Sequence, residues 1–286
     1  MTDRAELSFA IADVFTRTPL QGNQLAVFTD ARGLSAGEMQ ALAREMNFAE
    51  SVFVLPPEGE ADARIRIFTP ASELPFAGHP VLGTAVVLGD LRGLEVVRLE
   101  TGLGVVPVEL EHEGDGIAFG RMEQPVPDPQ PYERAAELLA ALGIERSALP
   151  VEAYRNGPLH VYVELESEEA VAALRPDMSA LAGLPDVGAN CFAGSGRRFK
   201  TRMFAPALGV PEDAASGSAA GPLAVHLARH GRIPFGEEIE ISQGAEIGRP
   251  STLYARALGS AERIERVEVG GAAVVVASGA FRLPAA

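Results

Sequence analysis

Cysteine is nearly absent from this chain of 286 residues, which contains Cys191 alone. One thiol cannot form an intrachain disulfide, and it cannot build a structural zinc site from several thiolates. Long hydrophobic runs are also missing, since no stretch reaches the roughly 18 consecutive apolar residues of a membrane-spanning helix. No basic leader followed by an apolar segment is visible. We therefore expect a cytoplasmic protein without a membrane partner.

Basic residues are scarce relative to acidic ones: 24 Lys and Arg face 39 Asp and Glu, for a formal net charge of −15 at pH 7. Nucleic acids and anionic lipids are bound by Lys and Arg that neutralise phosphates, so the acidic balance predicts that neither is a partner. A small anionic substrate remains possible, because one pocket can be positive inside an acidic molecule.

The two halves of the chain repeat one ordered set of motifs. An Arg-x-Phe-x-Pro segment at 66–70 precedes a glycine-rich turn at 78–83, and the same order returns at 202–206 and 217–221. A separation of about 140 residues is too long for a solenoid repeat, so it predicts two domains of one design. We place them at residues 1–124 and 132–286, with the last strand able to return to the first domain.

Between these domains, four prolines fall within residues 124–131, which predicts an extended linker at 125–131.

Local patterns predict short strands with few helices. Apolar alternation indicates strands at 63–68, 95–100 and 105–111. One helix is expected to begin after Ser35, with Glu38 completing a capping box, and to end near Asn47. Glu50 then lies at a helix-to-strand transition.

Two further helices follow the glycine-rich turns, and the absence of a polar face predicts that both are buried. Pro80 is expected at the first position of one helix, and Pro222 among the first four amides of the other.

The starts of these buried helices are the candidate functional site. A glycine-rich turn that leads into a helix presents amide N–H groups and the positive end of the helix dipole, which favour carboxylate or phosphate. Gly78 and Gly217 are the corresponding substrate-binding candidates, and His79, Asp213 and Ser218 lie beside them. The alternative interpretation is that the glycines only permit tight turns and that the polar residues are helix caps.

Glu50 is the candidate acid and base. Its neighbours in sequence are apolar, so we expect a desolvated carboxyl group with a raised pKa. A solvated surface glutamate is the alternative. Neither glycine-rich turn matches a phosphate-binding loop or a dinucleotide fingerprint, so no nucleotide cofactor is expected, and no metal.

The ordered motifs resemble those of PhzF-type proteins over nearly the whole chain. The segments that carry the resemblance are 13–16, 22–28, 49–53, 66–83, 156–163, 202–221, 243–244 and 248–251. The resemblance implies an α+β fold of the diaminopimelate epimerase type. In that fold two pseudo-symmetric domains each form a β-barrel-like sheet around a central helix, and the active site lies between them.

The same resemblance implies a cofactor-independent isomerase that moves a proton within a small carboxylate substrate. Glu50 matches the position of the proton shuttle, with His79, Asp213 and Ser218 as its supporting catalytic residues. Asn23 belongs to the second segment and is expected to contact substrate. The family also makes a homodimer plausible, and a single cysteine disfavours racemisation by two thiols.

Two other functions stay open. One is an amino-acid epimerase or racemase, in which Glu50 faces a second group such as Asp213. The other is a non-catalytic protein that binds a small anion in the same cleft.

Overall fold

A computed structural model describes residues 6–114 and 116–283. These residues form two units. Unit 1 comprises the chain up to Met122 together with the segment from Gly271 onward, and unit 2 comprises Glu123–Gly270. Within the described part of the chain, no helix is long and apolar enough to cross a membrane.

Unit 1 is built from two separate parts of the sequence, and the residues of unit 2 lie between them in the sequence. The first part contains β1 (Glu6–Val14), β2 (Asn23–Phe28), α1 (Ala36–Met46), β3 (Glu50–Leu55), β4 (Ala63–Phe68), β5 (Glu73–Leu74), α2 (Gly78–Arg92), β6 (Val96–Thr101), β7 (Gly104–Glu113) and β8 (Gly116–Gln124). Unit 2 contains β9 (Asp128–Pro131), α3 (Ala135–Leu142), β10 (Glu152–Arg155), β11 (Leu159–Glu164), α4 (Glu168–Ala173), α5 (Met178–Ala182), β12 (Val187–Ser195), β13 (Arg198–Ala205), β14 (Val210–Asp213), α6 (Gly217–Arg229), β15 (Ile239–Gln243), β16 (Ser251–Gly259) and β17 (Ile264–Gly271). Strand β18 (Ala273–Arg282) belongs to unit 1, and short 3₁₀ turns lie at Pro206–Leu208 and Ala245–Ile247.

The sheet of unit 1 is mixed. Its strands follow the order β18, β1, β2, β3, β4, β6, β7, β8, and β5 pairs with β4. Only two of these pairings, β2 with β3 and β4 with β6, are parallel. The parallel register places Leu25 opposite Glu50, so Glu50 begins its strand beside β2.

Helix α2 is the centre of unit 1. It contacts β1, β2, β3, β6, β7 and β18, so the sheet surrounds it, and every residue from Gly78 to Gly89 is buried. A helix in contact with sheet on all sides needs no polar face, which is why this sequence has none. Gly83 is required by packing, because an added Cβ would lie 2.6 Å from Cγ2 of Val14.

Unit 2 repeats the plan of unit 1. Its strands follow the order β9, β10, β11, β12, β13, β15, β16, β17, with β14 on β13. The parallel pairs are β11 with β12 and β13 with β15, the equivalent positions to those in unit 1. Helix α6 is buried from Gly217 to Ala228 and packs against β11 and β16. The α+β class, with a curved sheet around one buried helix in each unit, is therefore confirmed.

The first helix forms as its sequence predicts. Ser35 accepts from the amide of Glu38, and the Glu38 carboxylate accepts from the amide of Ser35, which completes the capping box. The helix ends at Met46, and Asn47 takes the left-handed conformation at φ 53°. Two polar side chains thus satisfy helix-end amides that would otherwise lack partners.

The two prolines lie deeper in their helices than expected. Helix α2 begins at Gly78, so Pro80 is its third residue, where a missing N–H still costs no intrahelical bond. Helix α6 begins at Gly217, so Pro222 is its sixth residue and lies inside the helix. Its missing N–H would have bonded the carbonyl of Ser218, and the expectation that Pro222 falls among the first four amides was wrong.

The boundary between the units falls inside β8, after Met122. Of the segment expected as a linker, Asp128–Pro131 forms β9 and pairs with β10. The last strand, β18, pairs with β1 in unit 1.

Candidate functional site

In unit 1, Glu50 and His79 form a close pair. The Oε2 atom of Glu50 lies 3.5 Å from Nε2 of His79, and their side chains are 15% and 4% exposed. Strand β3 begins at Glu50 and α2 begins one residue before His79, so the parallel β2–β3 pairing and the helix start bring the two groups together. The carboxyl group is largely removed from water, contrary to the solvated alternative.

Asn23 determines which nitrogen of His79 carries a proton. The amide Nδ2 of Asn23 lies 3.4 Å from Nδ1 of His79. An amide nitrogen can only donate, so Nδ1 accepts and the neutral ring carries its proton on Nε2, the atom facing Glu50. Asn23 thus turns the protonated nitrogen of His79 toward the carboxyl group of Glu50.

In unit 2, Ser218 occupies the position equivalent to His79, because each is the second residue of its buried helix. The Oγ atom of Ser218 lies 3.0 Å from Nε2 of His160, on β11. Both residues are buried, and burial lowers the pKa of His160 to about 3. His160 is therefore neutral at physiological pH.

The first turn of α6 depends on side chains from other elements. The Nδ2 atom of Asn156 donates to the carbonyl of Ser218 at 3.3 Å, in place of the amide that Pro222 lacks. Gln124 donates to the carbonyl of Gly217 at 2.9 Å and accepts from Asn156 at 2.9 Å. Two amide side chains thus hold the segment that presents Ser218.

Asp213 is held by the turn before α6. The hydroxyl of Ser216 donates to Oδ2 of Asp213 at 2.6 Å, so Ser216 orients the carboxylate rather than capping the helix. Gln243 donates to the carbonyl of Asp213 at 2.9 Å and to Oγ of Ser216 at 3.0 Å. Gly244 has φ 80°, and a Cβ there would lie 2.5 Å from the carbonyl oxygen of Ala214. The turn at 243–244 therefore fits closely under the Asp213 loop.

A separate cluster in unit 2 joins Glu152, His226 and His230, whose ligand atoms lie within 4.8 Å of one another. Oε2 of Glu152 already accepts from Tyr154 at 2.7 Å and from Arg229 at 2.9 Å. A divalent cation would have to displace the guanidinium group. The contacts fit a hydrogen-bonded network better than a metal centre.

Sequence reasoning had singled out Glu50, His79, Asp213 and Ser218, and the structure pairs the first two within unit 1. It had not singled out His160 or Gln243 as site residues. The available signal was a polar residue inside an apolar strand: His160 lies in the run 159–164, whose residues from 160 onward are all buried. Its role depends on a contact with a residue 58 positions away.

Comparisons with known proteins show the family to which the chain belongs. A family model described as phenazine biosynthesis-like protein (PhzC-PhzF) matches residues 12–279. The chain is 56% identical over 271 residues to trans-2,3-dihydro-3-hydroxyanthranilate isomerase of Pseudomonas aeruginosa, over 95% of this chain and 98% of that protein.

Two solved structures resemble the fold. A PhzF-family phenazine biosynthesis protein of Bacillus anthracis matches with a TM-score of 0.84 at 24% identity, over 98% of this chain and 100% of that one. A predicted epimerase of Pseudomonas aeruginosa matches with a TM-score of 0.82 at 32% identity, over 98% of this chain and 100% of that one. The predicted resemblance is confirmed.

Proposed function

Because the chain belongs to the phenazine biosynthesis-like protein family and is an isomerase, we propose that Glu50 is the group that moves the proton. In this mechanism the carboxylate takes a proton from one carbon of a small carboxylate substrate and returns it to another. The double bonds shift between the two steps, the proton is held by Glu50 in between, and the substrate gains and loses no atom or electron overall. No metal or nucleotide takes part.

The observation that carries the proposal is the buried contact of 3.5 Å between Glu50 and His79. A carboxylate removed from water is a stronger base than a solvated one, because burial disfavours its charged form. The Nε2 atom of His79 faces this carboxyl group and orients it for the transfer. A carboxyl group held in this way can act first as base and then as acid.

The remaining site residues have supporting roles in this proposal. The amides at Gly78 and Gly217, with Asn23, bind polar groups of the substrate, because helix N-termini favour carboxylate. Asp213 and Ser218 supply a carboxylate and a hydroxyl for further hydrogen bonds. The first substrate to test is trans-2,3-dihydro-3-hydroxyanthranilate, since a relative 56% identical to this chain is named as the isomerase of that compound.

The proposal also includes a cytoplasmic location and a homodimeric assembly. Size-exclusion chromatography with light scattering measures the assembly directly.

The decisive variant is Glu50→Gln, which keeps the shape of the side chain and removes its ionisation. We expect turnover to fall about 10²- to 10⁴-fold, the contribution of one general acid or base. The assay follows the ultraviolet absorbance of the substrate, and mass spectrometry of the product in deuterated solvent reports exchange at carbon.

A matched control is Glu38→Gln, which changes a carboxylate in the α1 capping box. We expect this variant to lose about 1 kcal/mol of unfolding free energy or less and to keep its turnover unchanged. If Glu50→Gln retained full turnover, or if both variants lost it equally, Glu50 would not be the proton carrier.

An epimerase is the second candidate, because a structure 32% identical over nearly the whole chain is described as a predicted epimerase. The two reactions differ in their products. Epimerisation inverts a stereocentre, which chiral chromatography detects, whereas the isomerisation moves a double bond and changes the absorbance. The third function is a binding protein without turnover. It would be supported if Glu50→Gln still bound ligand and if the unaltered protein exchanged no carbon-bound hydrogen of any substrate.

A further inference from the structure

His160 and Ser218 form a pair that could be mistaken for a nucleophilic serine with its base. Their atoms Nε2 and Oγ lie 3.0 Å apart, and both side chains are buried in unit 2. In a nucleophilic pair the serine donates its proton to the imidazole. The opposite arrangement has the imidazole donating to the serine, and the two differ in which ring nitrogen carries the proton.

The hydrogen bonds around Asn190 decide between these arrangements. Its Nδ2 atom donates to the carbonyl of Gly188 at 2.8 Å, which fixes the orientation of the amide because a carbonyl can only accept. The same Nδ2 atom lies 3.3 Å from Nδ1 of His160. Nδ1 must therefore accept, and the proton of the neutral ring lies on Nε2.

Ser218 consequently accepts a hydrogen bond from His160 and does not donate one to it. The proton of its hydroxyl is left to point toward another acceptor. Gly188 leaves room for the imidazole of His160, because a Cβ at this position would lie 3.1 Å from Nδ1 of His160.

Unit 1 contains an equivalent arrangement. There Asn23, at the start of β2, contacts His79, the second residue of α2. In unit 2, His160 near the start of β11 contacts Ser218, the second residue of α6. Each unit thus uses a side chain from the equivalent strand to orient the polar group at the start of its buried helix.

We infer that His160 is a positioning residue which, together with Asn190, fixes the Ser218 hydroxyl as a hydrogen-bond donor to an acceptor oxygen of the substrate. His160 neither takes a proton from Ser218 nor touches the substrate. The inference rests on the proposed function in one respect, namely that Ser218 contacts the substrate. The direction of the hydrogen bonds is independent of that function.

The first test measures the tautomer directly. Two-dimensional ¹H–¹⁵N spectra of the full chain, labelled with ¹⁵N-histidine, distinguish a protonated ring nitrogen from an unprotonated one, and the spectrum of His160→Gln assigns the signals. We expect a proton on Nε2 and none on Nδ1, without change between pH 5 and 9. A proton on Nδ1, or titration within this range, would overturn the inference whatever the activity of the protein.

The second test compares His160→Gln with His160→Leu. The glutamine amide can donate to Ser218 as Nε2 does, and leucine cannot. We expect the glutamine variant to keep most of kcat/KM and the leucine variant to lose about 3- to 10-fold, the value of one hydrogen bond between neutral groups. A thermal unfolding measurement of each variant checks that both are folded. Equal losses would reduce His160 to a packing role and refute the inference.

The third test reverses the hydrogen bonds. In Asn190→Asp the carboxylate can only accept, so the ring proton moves to Nδ1, which donates a hydrogen bond to the carboxylate, and Nε2 then accepts from Ser218. We expect the tautomer to switch and kcat/KM to fall to the level of Ser218→Ala. Full activity of Ser218→Ala would refute the substrate contact, whereas full activity of Glu50→Gln would refute the proposed proton shuttle. The two failures are therefore distinguishable.

Discussion

Pro222 and Asn156 are predicted to be energetically coupled. In Asn156→Ala, the carbonyl of Ser218 and Oε1 of Gln124 lose their donor, at present 3.3 and 2.9 Å away. A buried acceptor left without a partner costs about 1–3 kcal/mol, so we expect the variant to lose about 3 kcal/mol of unfolding free energy. In a Pro222→Ala background, the amide of residue 222 can bond the Ser218 carbonyl. The cost of Asn156→Ala should then fall by about 1 kcal/mol.

Tyrosine fluorescence during urea unfolding is a suitable assay. The chain has no tryptophan, and its four tyrosines, at positions 132, 154, 162 and 254, all lie in unit 2. The signal therefore reports the unit that contains the substitutions. The four proteins of the double-mutant cycle give the coupling free energy, whatever each single change costs by itself.

A matched control pairs Pro222→Ala with Leu138→Ala. Leu138 belongs to the same buried cluster as Val161, which points to the opposite face of its strand from His160. We expect this pair to be additive within about 0.5 kcal/mol. If Asn156→Ala cost the same in both backgrounds, the Asn156 side chain would not be replacing the missing proline amide, and the reasoning would be refuted.

Three further predictions concern stability and reactivity. Burial opposes ionisation of Glu152, but its hydrogen bonds and a nearby arginine outweigh this and lower its pKa. The ionised carboxylate then stabilises the folded protein fully at neutral pH, and this stabilisation is lost as the pH falls below the pKa of Glu152 in the unfolded chain. The cost of Glu152→Gln, about 2 kcal/mol of unfolding free energy at pH 7, should therefore shrink toward pH 3. A cost that stays constant with pH would contradict this reasoning. Gly83→Ala places Cβ 2.6 Å from the side chain of Val14 and should cost about 1–3 kcal/mol of stability, measured by circular dichroism melting. Gly37→Ala, where the nearest atom outside the adjoining backbone is Oγ of Ser35 at 3.9 Å, should stabilise by about 0.5 kcal/mol. Equal effects of the two substitutions would refute the packing argument. Burial raises the pKa of Cys191 to about 12, so iodoacetamide at pH 8 should label this thiol only after unfolding. If iodoacetamide labelled the folded enzyme and abolished its activity, a catalytic role for the thiol would have to be reconsidered.

The sequence alone determined the local features of the fold. Ser35 and Glu38 specified where α1 begins, because a capping box needs only residues three positions apart. The lack of a polar face predicted that α2 and α6 are buried. The repeated motifs indicated two units of one plan, and the family resemblance directed attention to Glu50 and His79. The cap and the missing polar face are patterns among residues close in the chain, and the repeats and the resemblance are patterns in the order of residues, so the sequence is enough to reveal them.

Only the tertiary structure decided how the candidate groups are oriented. The direction of the hydrogen bond between His160 and Ser218 follows from Asn190 and from the parallel register of β11 with β12. The tolerance of Pro222 inside α6 follows from Asn156, 66 positions earlier in the connection between β10 and β11. Hydrogen bonds of this kind depend on distances of a few ångströms between residues far apart in sequence. Composition and periodicity do not encode these distances, so the residue types were predictable and their roles were not.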